Sequence, residues 1–151
     1  MFANRRAVRI EWGDCDPAGI VFYPQYFGMF DASTAALLTA ALGLDKRQIQ
    51  RKFGIVGFPM VDTRAKFHIP TSYCDVVTIE SRILKIGGSS FEVEHQLTRN
   101  GTLAVECFEK RVWAIADPEK PEQLKGVPVP QAVRDALLQQ NTSVGEHNGL
   151  N

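Results

Sequence analysis

The chain has 151 residues, of which 17 are basic and 17 acidic, so its formal net charge is zero. This length fits one domain that can bury a core without disulfides or metals. A balanced charge with no run of Lys or Arg argues against nucleic acid or an anionic membrane as the partner, and favours small-molecule chemistry or self-association.

Cysteine usage and the N-terminus together predict a cytoplasmic protein. The cysteines, Cys15, Cys74 and Cys107, are odd in number and lack metal-ligand spacing, which suits a reducing compartment and predicts no metal site. The first nine residues carry basic side chains but no apolar stretch before a small-residue cleavage site. We therefore expect no signal peptide.

The first predicted element is a β-strand over residues 7–12, where apolar and charged residues alternate. It leads into an acidic loop that contains Asp14 and Asp16. Cys15 lies between these two carboxylates, whose charges are expected to raise the pKa of its thiol. We therefore interpret Cys15 as a small buried residue and not as a nucleophile.

A long helix is predicted over residues 25–42, which are apolar except for a thin polar stripe. Pro24 suits the first helical position, and Gly43 is the expected stop. About 18 residues would span about 27 Å, which is borderline for a membrane. Strands and turns flank the segment, so we interpret it as a buried core helix and predict no membrane association.

The second half of the chain is predicted to be mostly β-strand. A short helix over 45–52 is followed by strands over 60–69, 75–86, 89–99 and 102–116, with hairpin turns at Gly87-Gly88 and Asn100-Gly101. A change of alternation predicts a bulge near residues 109–111. Residues 120–130 are expected to form a connector, 131–139 a helix, and 141–151 a disordered tail. The predicted fold is one α+β domain, residues 1–140, whose sheet wraps a single apolar helix.

Several residues invite a chemical interpretation. Asp-x-Asp and Asp-Pro often mark turns. Asp16 also precedes a long helix, whose N–H groups can hold an oxyanion while the carboxylate attacks. His68 and His95 are interpreted as solvated or hydrogen-bonded strand residues, not as catalytic bases. The segment at 87–90 is interpreted as a hairpin turn and not a phosphate loop, because a strand follows it.

The acidic loop also carries a family resemblance. GDCDPAGIV at residues 13–21, followed by Tyr23-Pro24, Tyr26 and Asp31-Ala32, resembles the 4-hydroxybenzoyl-CoA thioesterase family of hot-dog-fold enzymes and the related YbgC-type acyl-CoA thioesterases. GIVGFP at 54–59, Tyr73-x-Asp75, Ser90-Phe91 and Arg111-Val112 are similar too, so the resemblance extends over residues 8–130. It implies a hot-dog fold, an antiparallel sheet wrapped around one long buried central helix.

The resemblance implies hydrolysis of an aromatic acyl-CoA thioester, with no cofactor beyond the coenzyme A of the substrate. Asp16 is then the catalytic carboxylate, and the backbone N–H of Tyr23 polarises the carbonyl. A homodimer or homotetramer is implied, with its active site at a subunit interface. Substrate contacts are expected at Gly19, Phe58 and Pro59, and coenzyme A contacts at Gly88, Ser89, Ser90 and Lys125.

Two positions depart from the family pattern. The hairpin that carries basic residues in the 4-hydroxybenzoyl enzyme reads Gly87-Gly88-Ser89 here, and Lys125 is the candidate substitute for that charge. Phe58 replaces a small polar residue, which predicts a different acyl pocket. Two alternatives remain open: a non-catalytic acyl-CoA or acyl-carrier binding module, and an acyl-thioester hydratase or dehydratase of the same fold.

Overall fold

A computed structural model describes residues 1–140 and 146–147, and the fold is α+β. The helices are α1 (Pro24–Leu42), α2 (Lys46–Phe53) and α3 (Gln131–Leu138). The strands are β1 (Ala3–Arg9), β2 (Met60–Phe67), β3 (Val76–Ile86), β4 (Ser90–Arg99), β5 (Thr102–Val112), β6 (Ala114–Ala116), β7 (Leu124–Gly126) and β8 (Glu146–His147).

One six-stranded sheet, in the order β2-β5-β4-β3-β1-β8, forms the body of the molecule. Its neighbours are antiparallel except for β1 and β8. One face of the sheet packs on α1 and is called the inner face. The other is called the outer face. The predicted arrangement of an antiparallel sheet around one long helix is therefore confirmed.

The sheet has two ends that matter for the site. The end where β1 stops and residues 10–23 follow is called the acid end. The end where Gly87-Gly88 connects β3 to β4 is called the hairpin end. β2 begins at the hairpin end, where Met60 pairs with Arg111, and finishes at the acid end, where Phe67 pairs with Val105. Its other side has no neighbouring strand among the described residues.

The core consists of two apolar clusters along α1. Leu37 and Leu38, in the C-terminal half of the helix, pack in a cluster with Trp113 at the hairpin end. Phe30, in the N-terminal half, packs in a cluster with Leu97 nearer the acid end. Helix α1 therefore links the two ends of the molecule.

Helix α1 has the boundaries that the sequence predicts. Pro24 is its first residue, and Gly43 ends it in the left-handed region with a φ of 69°. Burial differs from the prediction, because Gln25, Gly28 and Asp31 are exposed and only one face is buried. Within the described residues no single helix is long and apolar enough to cross a membrane; α1 and α2 pass that test only together, across a bend of 63°.

The prediction of the first strand is wrong in position. β1 spans Ala3–Arg9, and Trp12–Asp14 forms a 3₁₀ turn instead of strand. The ladder with β3 ends at Arg9, because the N–H of Ile10 donates to the carbonyl of Asp75 instead. Alternation alone could not place this boundary, since Ile10 is buried in either arrangement.

Other strand predictions need smaller corrections. The predicted strand over 102–116 is divided into β5 and β6, and the expected connector over 120–130 contains β7, which pairs with β6. The bulge predicted near 109–111 is found instead in the paired strand β2, between Met60 and Asp62. The predicted disordered tail, 141–151, lies outside the described residues except for Glu146–His147, which form a strand there.

Candidate active site

A tight antiparallel hairpin at the acid end carries the predicted catalytic carboxylate. We call residues 14–22 the acid hairpin. Phe22 donates its N–H to the carbonyl of Asp14 at 2.9 Å, Cys15 pairs with Val21, and Asp16 donates to the carbonyl of Ile20 at 2.9 Å. These contacts place Asp16 at the turn of the hairpin, two residue pairs away from the Asp14–Phe22 pair that precedes α1.

The turn of the acid hairpin depends on Gly19. Its φ of +80° lies in the left-handed region that glycine adopts at low cost. Its N–H donates to the carbonyl of Asp16, and its own carbonyl accepts the N–H of Tyr73. Val21 in turn donates to the carbonyl of Thr71 at 2.9 Å. The segment before β3 therefore holds the acid hairpin in place.

The two carboxylates of the acid hairpin have different environments. Asp14 accepts the N–H of Glu11 through Oδ2 at 2.9 Å and so caps the 3₁₀ turn. Asp16 accepts the N–H of Ala18 through Oδ1 at 2.9 Å. No described residue donates a hydrogen bond to its Oδ2. Asp14 is therefore engaged in local structure, whereas Asp16 retains a free oxygen.

The start of α1 presents one free backbone donor. Pro24 has no N–H, while Gln25 and Tyr26 donate theirs to the carbonyls of Phe22 and Tyr23 at 2.9 and 3.2 Å. The N–H of Tyr23 has no acceptor among the described residues. It lies at the positive end of the helix dipole, and it follows directly on the acid hairpin.

An aromatic pocket of about 260 Å³ lies beside this donor. We call it the hairpin pocket. Its walls include Tyr23, Tyr26 and Phe67, with ring centroids 6.4 Å apart for Tyr23 and Phe67 and 5.8 Å apart for Tyr26 and Phe67. The hydroxyl of Tyr26 is hydrogen-bonded to Thr71 at 2.7 Å. The pocket can therefore hold a flat apolar group beside Tyr23.

Cys15 is half-buried and not fully buried as predicted, but the pKa of its thiol is raised as the sequence suggests. Burial raises the pKa of its thiol, and the charges of Asp14 and Asp16 raise it further. Its Sγ is directed to the carbonyl of Glu11 at 3.5 Å. The thiolate is disfavoured, and Cys15 lies in the hairpin as a structural residue.

Phe58 and Pro59 lie away from the hairpin pocket within one chain. Phe58 is 3% exposed, stacks on Trp113 with centroids 6.4 Å apart, and contacts Phe91 edge-on. The carbonyl of Pro59 accepts the N–H of Val112. The expected effect of Phe58 on the acyl pocket is thus not a direct contact in this chain, because its ring belongs to the hairpin-end core.

The residues expected to contact coenzyme A are close together at the hairpin end. The carbonyls of Gly88 and Ser89 accept the N–H groups of Val129 and Trp113. A Cβ at Gly126 would lie 3.2 Å from the Ser89 hydroxyl, so Lys125 neighbours the turn. Ser90 begins β4. These positions lie at the opposite end of the sheet from Asp16.

No sequence pattern indicated that Arg134 lies at this turn. Its guanidinium donates to the carbonyls of Gly87 and Gly88, and also to that of Val129 at 3.2 Å. The Arg134 guanidinium at this turn is therefore engaged by backbone oxygens.

A buried polar network beneath α1 was also missed. It comprises Thr34, Ser81, His95, Glu109 and Arg111, each at most 3% exposed. The Thr34 hydroxyl lies 2.6 Å from Glu109 and 3.1 Å from Nε2 of His95. It must donate to the carboxylate, so it accepts from Nε2–H. Nδ1 of His95 lies 2.7 Å from the Ser81 hydroxyl.

The network ends in ion pairs. Arg111 donates to Glu109 at 2.8 Å and to Asp31 at 2.9 Å. Burial by itself would raise the pKa of Glu109, but hydrogen bonds from His95 and Arg111 outweigh it and lower the pKa to about 2. His95 is thus hydrogen-bonded, as predicted, but not solvated. The only sequence signal was its place on the buried face of β4 with Phe91, Val93 and Leu97.

Comparison with known proteins places this geometry in a family. The thioesterase-like superfamily matches residues 10–137. The chain belongs to that superfamily. A 4-hydroxybenzoyl-CoA thioesterase from Pseudomonas sp. (strain CBS-3) is 38% identical over 127 residues, which cover 81% of this chain and 88% of the relative.

Solved structures agree with this assignment. The structure of the Pseudomonas 4-hydroxybenzoyl-CoA thioesterase matches with a TM-score of 0.82 at 35% identity, over 90% of this chain and 99% of the other. A gentisyl-coenzyme A thioesterase matches with a TM-score of 0.76 at 31% identity, over 90% and 100%. The family and hot-dog fold implied by the sequence motifs are confirmed.

Proposed function

We propose that the chain is an acyl-CoA thioesterase that converts an aromatic acyl-CoA and water to the free acid and coenzyme A. The observation that carries the proposal is the free N–H of Tyr23, which lies at the start of α1 directly after the hairpin that bears Asp16. The names of similar proteins, 4-hydroxybenzoyl-CoA thioesterase and gentisyl-coenzyme A thioesterase, support this class of reaction.

In the proposed reaction, the Tyr23 N–H binds the thioester carbonyl oxygen. Negative charge develops on that oxygen as the carbonyl carbon becomes tetrahedral, and the helix dipole favours it. One such donor contributes on the order of 3 kcal/mol to the transition state in other enzymes. Collapse of the intermediate breaks the C–S bond and releases coenzyme A as its thiolate, which then takes up a proton.

Asp16 has two possible roles in forming that intermediate. As a general base it takes a proton from the attacking water through its free Oδ2. As a nucleophile it attacks the carbonyl itself, and water then hydrolyses the resulting mixed anhydride. A single turnover in heavy-oxygen water followed by mass analysis of the Asp16 peptide tests the nucleophilic route, because label in the carboxylate arises only when water attacks the Asp16 carbon of the mixed anhydride.

The hairpin pocket supports an aromatic acyl group. Its Tyr23, Tyr26 and Phe67 rings offer faces and edges on which another ring can pack. Tyr23 and Phe67 are 59% and 49% exposed in the single chain, so a bound acyl ring would cover apolar surface that is otherwise in water.

We further propose a homodimer, formed through the free side of β2, that acts in the cytoplasm. Val61 and Phe67 on that strand are 57% and 49% exposed, and an uncovered edge strand of this kind favours pairing. Antiparallel pairing about a two-fold axis would set the hairpin end of one copy beside the acid end of the other. Val61→Lys should shift the mass measured by light scattering to that of the monomer; an unchanged mass contradicts this interface.

The decisive experiment measures thiol release from a panel of benzoyl-type and aliphatic acyl-CoAs. We expect cleavage of the benzoyl-type compounds by the wild type, and its loss in Asp16→Asn. Asp14→Asn is the matched control, because it neutralises a neighbouring carboxylate that only caps the 3₁₀ turn. If no acyl-CoA is cleaved, or if Asp16→Asn is as fast as the wild type, the proposed mechanism fails. Binding without cleavage would indicate an acyl-CoA binding module.

A further inference from the structure

Helix α2 carries the most concentrated unpaired positive charge in the described chain. Its eight residues include Lys46, Arg47, Arg51 and Lys52 and no carboxylate, although the whole chain is neutral. Lys46 and Lys52 lie over the rings of Phe58 and Phe53, at 5.3 and 5.7 Å from the centroids.

Arg47 and Arg51 differ from every other arginine of the described chain. The other eight each have a hydrogen bond or an ion pair with a protein oxygen. Arg47 and Arg51 have neither within the described residues. They are one helical turn apart, so their guanidinium groups project from the same face of α2.

These two arginines line a cleft of about 400 Å³ together with Gln50, Ile55 and Val56, which we call the α2 cleft. The side-chain amide of Gln50 donates to the carbonyl of Val56 at 2.7 Å and so fixes the wall of the cleft. Val56 is 44% exposed and supplies an apolar surface. The cleft thus combines two free cations, an apolar wall and no carboxylate.

The α2 cleft lies close to Lys125. Val56 donates its N–H to the carbonyl of Ala114 in β6, and Ala114 pairs with Gly126 in β7. Two strand spacings, or about 10 Å, therefore separate Val56 from the strand that carries Lys125. At the Gly87-Gly88 turn, in contrast, the guanidinium of Arg134 is occupied by backbone carbonyls.

We propose that the α2 cleft binds the phosphates of the nucleotide part of coenzyme A, with Arg47 and Arg51 as the principal ligands. Guanidinium groups bind phosphate oxygens in pairs of charge-assisted hydrogen bonds, and the adenine ring can pack on Val56. The inference rests on the proposed function. In the proposed dimer, the α2 cleft at the hairpin end of one copy lies beside the acid end of the other, where the thioester is cleaved.

The test compares acyl-CoA with the matching acyl-pantetheine, which lacks the nucleotide. Arg47→Gln with Arg51→Gln should raise KM for acyl-CoA and lower the kcat/KM preference for acyl-CoA over acyl-pantetheine about tenfold or more. Arg5→Gln with Arg82→Gln removes the same charge from the outer face of the sheet, where both arginines bond Glu80, and should leave the preference intact. An unchanged preference in the α2 variant, or an equal loss in both double variants, overturns the proposal.

A second measurement keeps this proposal separate from the proposed function. Calorimetric titration with adenosine 3′,5′-bisphosphate needs no hydrolysis, and we expect the α2 variant to bind it about tenfold more weakly than the wild type. If the wild type cleaves no thioester but shows this difference, the proposed function fails while the anion site stands. If the wild type does not bind the bisphosphate, or if the variant binds it equally well, the anion site is rejected.

Discussion

The acid hairpin and the buried network both bring carboxylates to helix α1, but they leave them in opposite conditions. Asp16 lies at the end of the helix with one oxygen free and a free backbone donor nearby. Glu109 lies beneath the middle of the helix, fully buried, with Thr34, His95 and Arg111 as partners.

This difference distinguishes a carboxylate that we expect to act in catalysis from one that we expect to stabilise the fold. A buried charge whose partners are all in place has no oxygen left for a substrate, and it holds α1 against the sheet. A carboxylate with an open oxygen contributes little to folding, yet it can reach a substrate. Glu109, the acid whose pKa is lowered most among the described residues, is therefore the one that we expect to be structural. Four changes test this division.

The largest effect is expected from Asp16→Asn. The variant should lose about 10³-fold or more in kcat, since it can neither accept a proton nor attack the carbonyl. Its free energy of unfolding, measured in denaturant, should match that of the wild type. A large loss of stability would show that Asp16 is structural, like Glu109.

The converse result is expected from Glu109→Gln. Removing one partner of a buried ion pair leaves Arg111 without its main counter-charge and costs about 3 kcal/mol of stability or more. Denaturant unfolding measures the loss, and Glu106→Gln on the outer face of β5 is the matched control. If the folded fraction of Glu109→Gln loses as much kcat as Asp16→Asn, the buried network takes part in the chemistry.

The dependence of stability on pH should also follow Glu109. Its pKa is lowered from 4.5 to about 2 in the folded chain. Because the folded value is below the unfolded one, the carboxylate stabilises the fold fully above about pH 4.5, and this contribution disappears as the pH falls toward 2. Unfolding experiments across that range should show a steep loss of stability in the wild type and a shallower one in Glu109→Gln. Equal slopes would contradict the assignment.

The smallest effect is expected from Gly19→Ala. No atom lies within 4 Å of the added Cβ, so the cost arises from the φ of +80° alone and should be about 1 kcal/mol. Because Gly19 shapes the turn at Asp16, kcat should fall more than stability does. Gly13→Ala, which also has open space but no positive φ, serves as the control. A variant with unchanged kcat would mean that the turn tolerates movement.

Much of the fold could be predicted from the sequence, because its signals are local. Helix α1 was predicted from its apolar run between Pro24 and Gly43, and β3 and β4 from alternation and turn residues. β1 was misplaced because its partner β3 is distant in sequence. β7 was missed because its three residues are all exposed and too few to show alternation.

The sequence by itself indicated an acidic loop with Asp16 and the helix that begins after Tyr23, whereas the hairpin pairing of that loop and the turn at Gly19 were seen only in the structure. Only the tertiary structure decided which polar residues are engaged and which are free. Glu109, His95 and Arg111 become partners because β4 and β5 pair beneath α1. Arg47 and Arg51 remain free because no carboxylate of the described residues pairs with them; that of Asp45, at the start of α2, caps the helix instead. Such distinctions depend on contacts between distant segments, and local sequence patterns do not encode them.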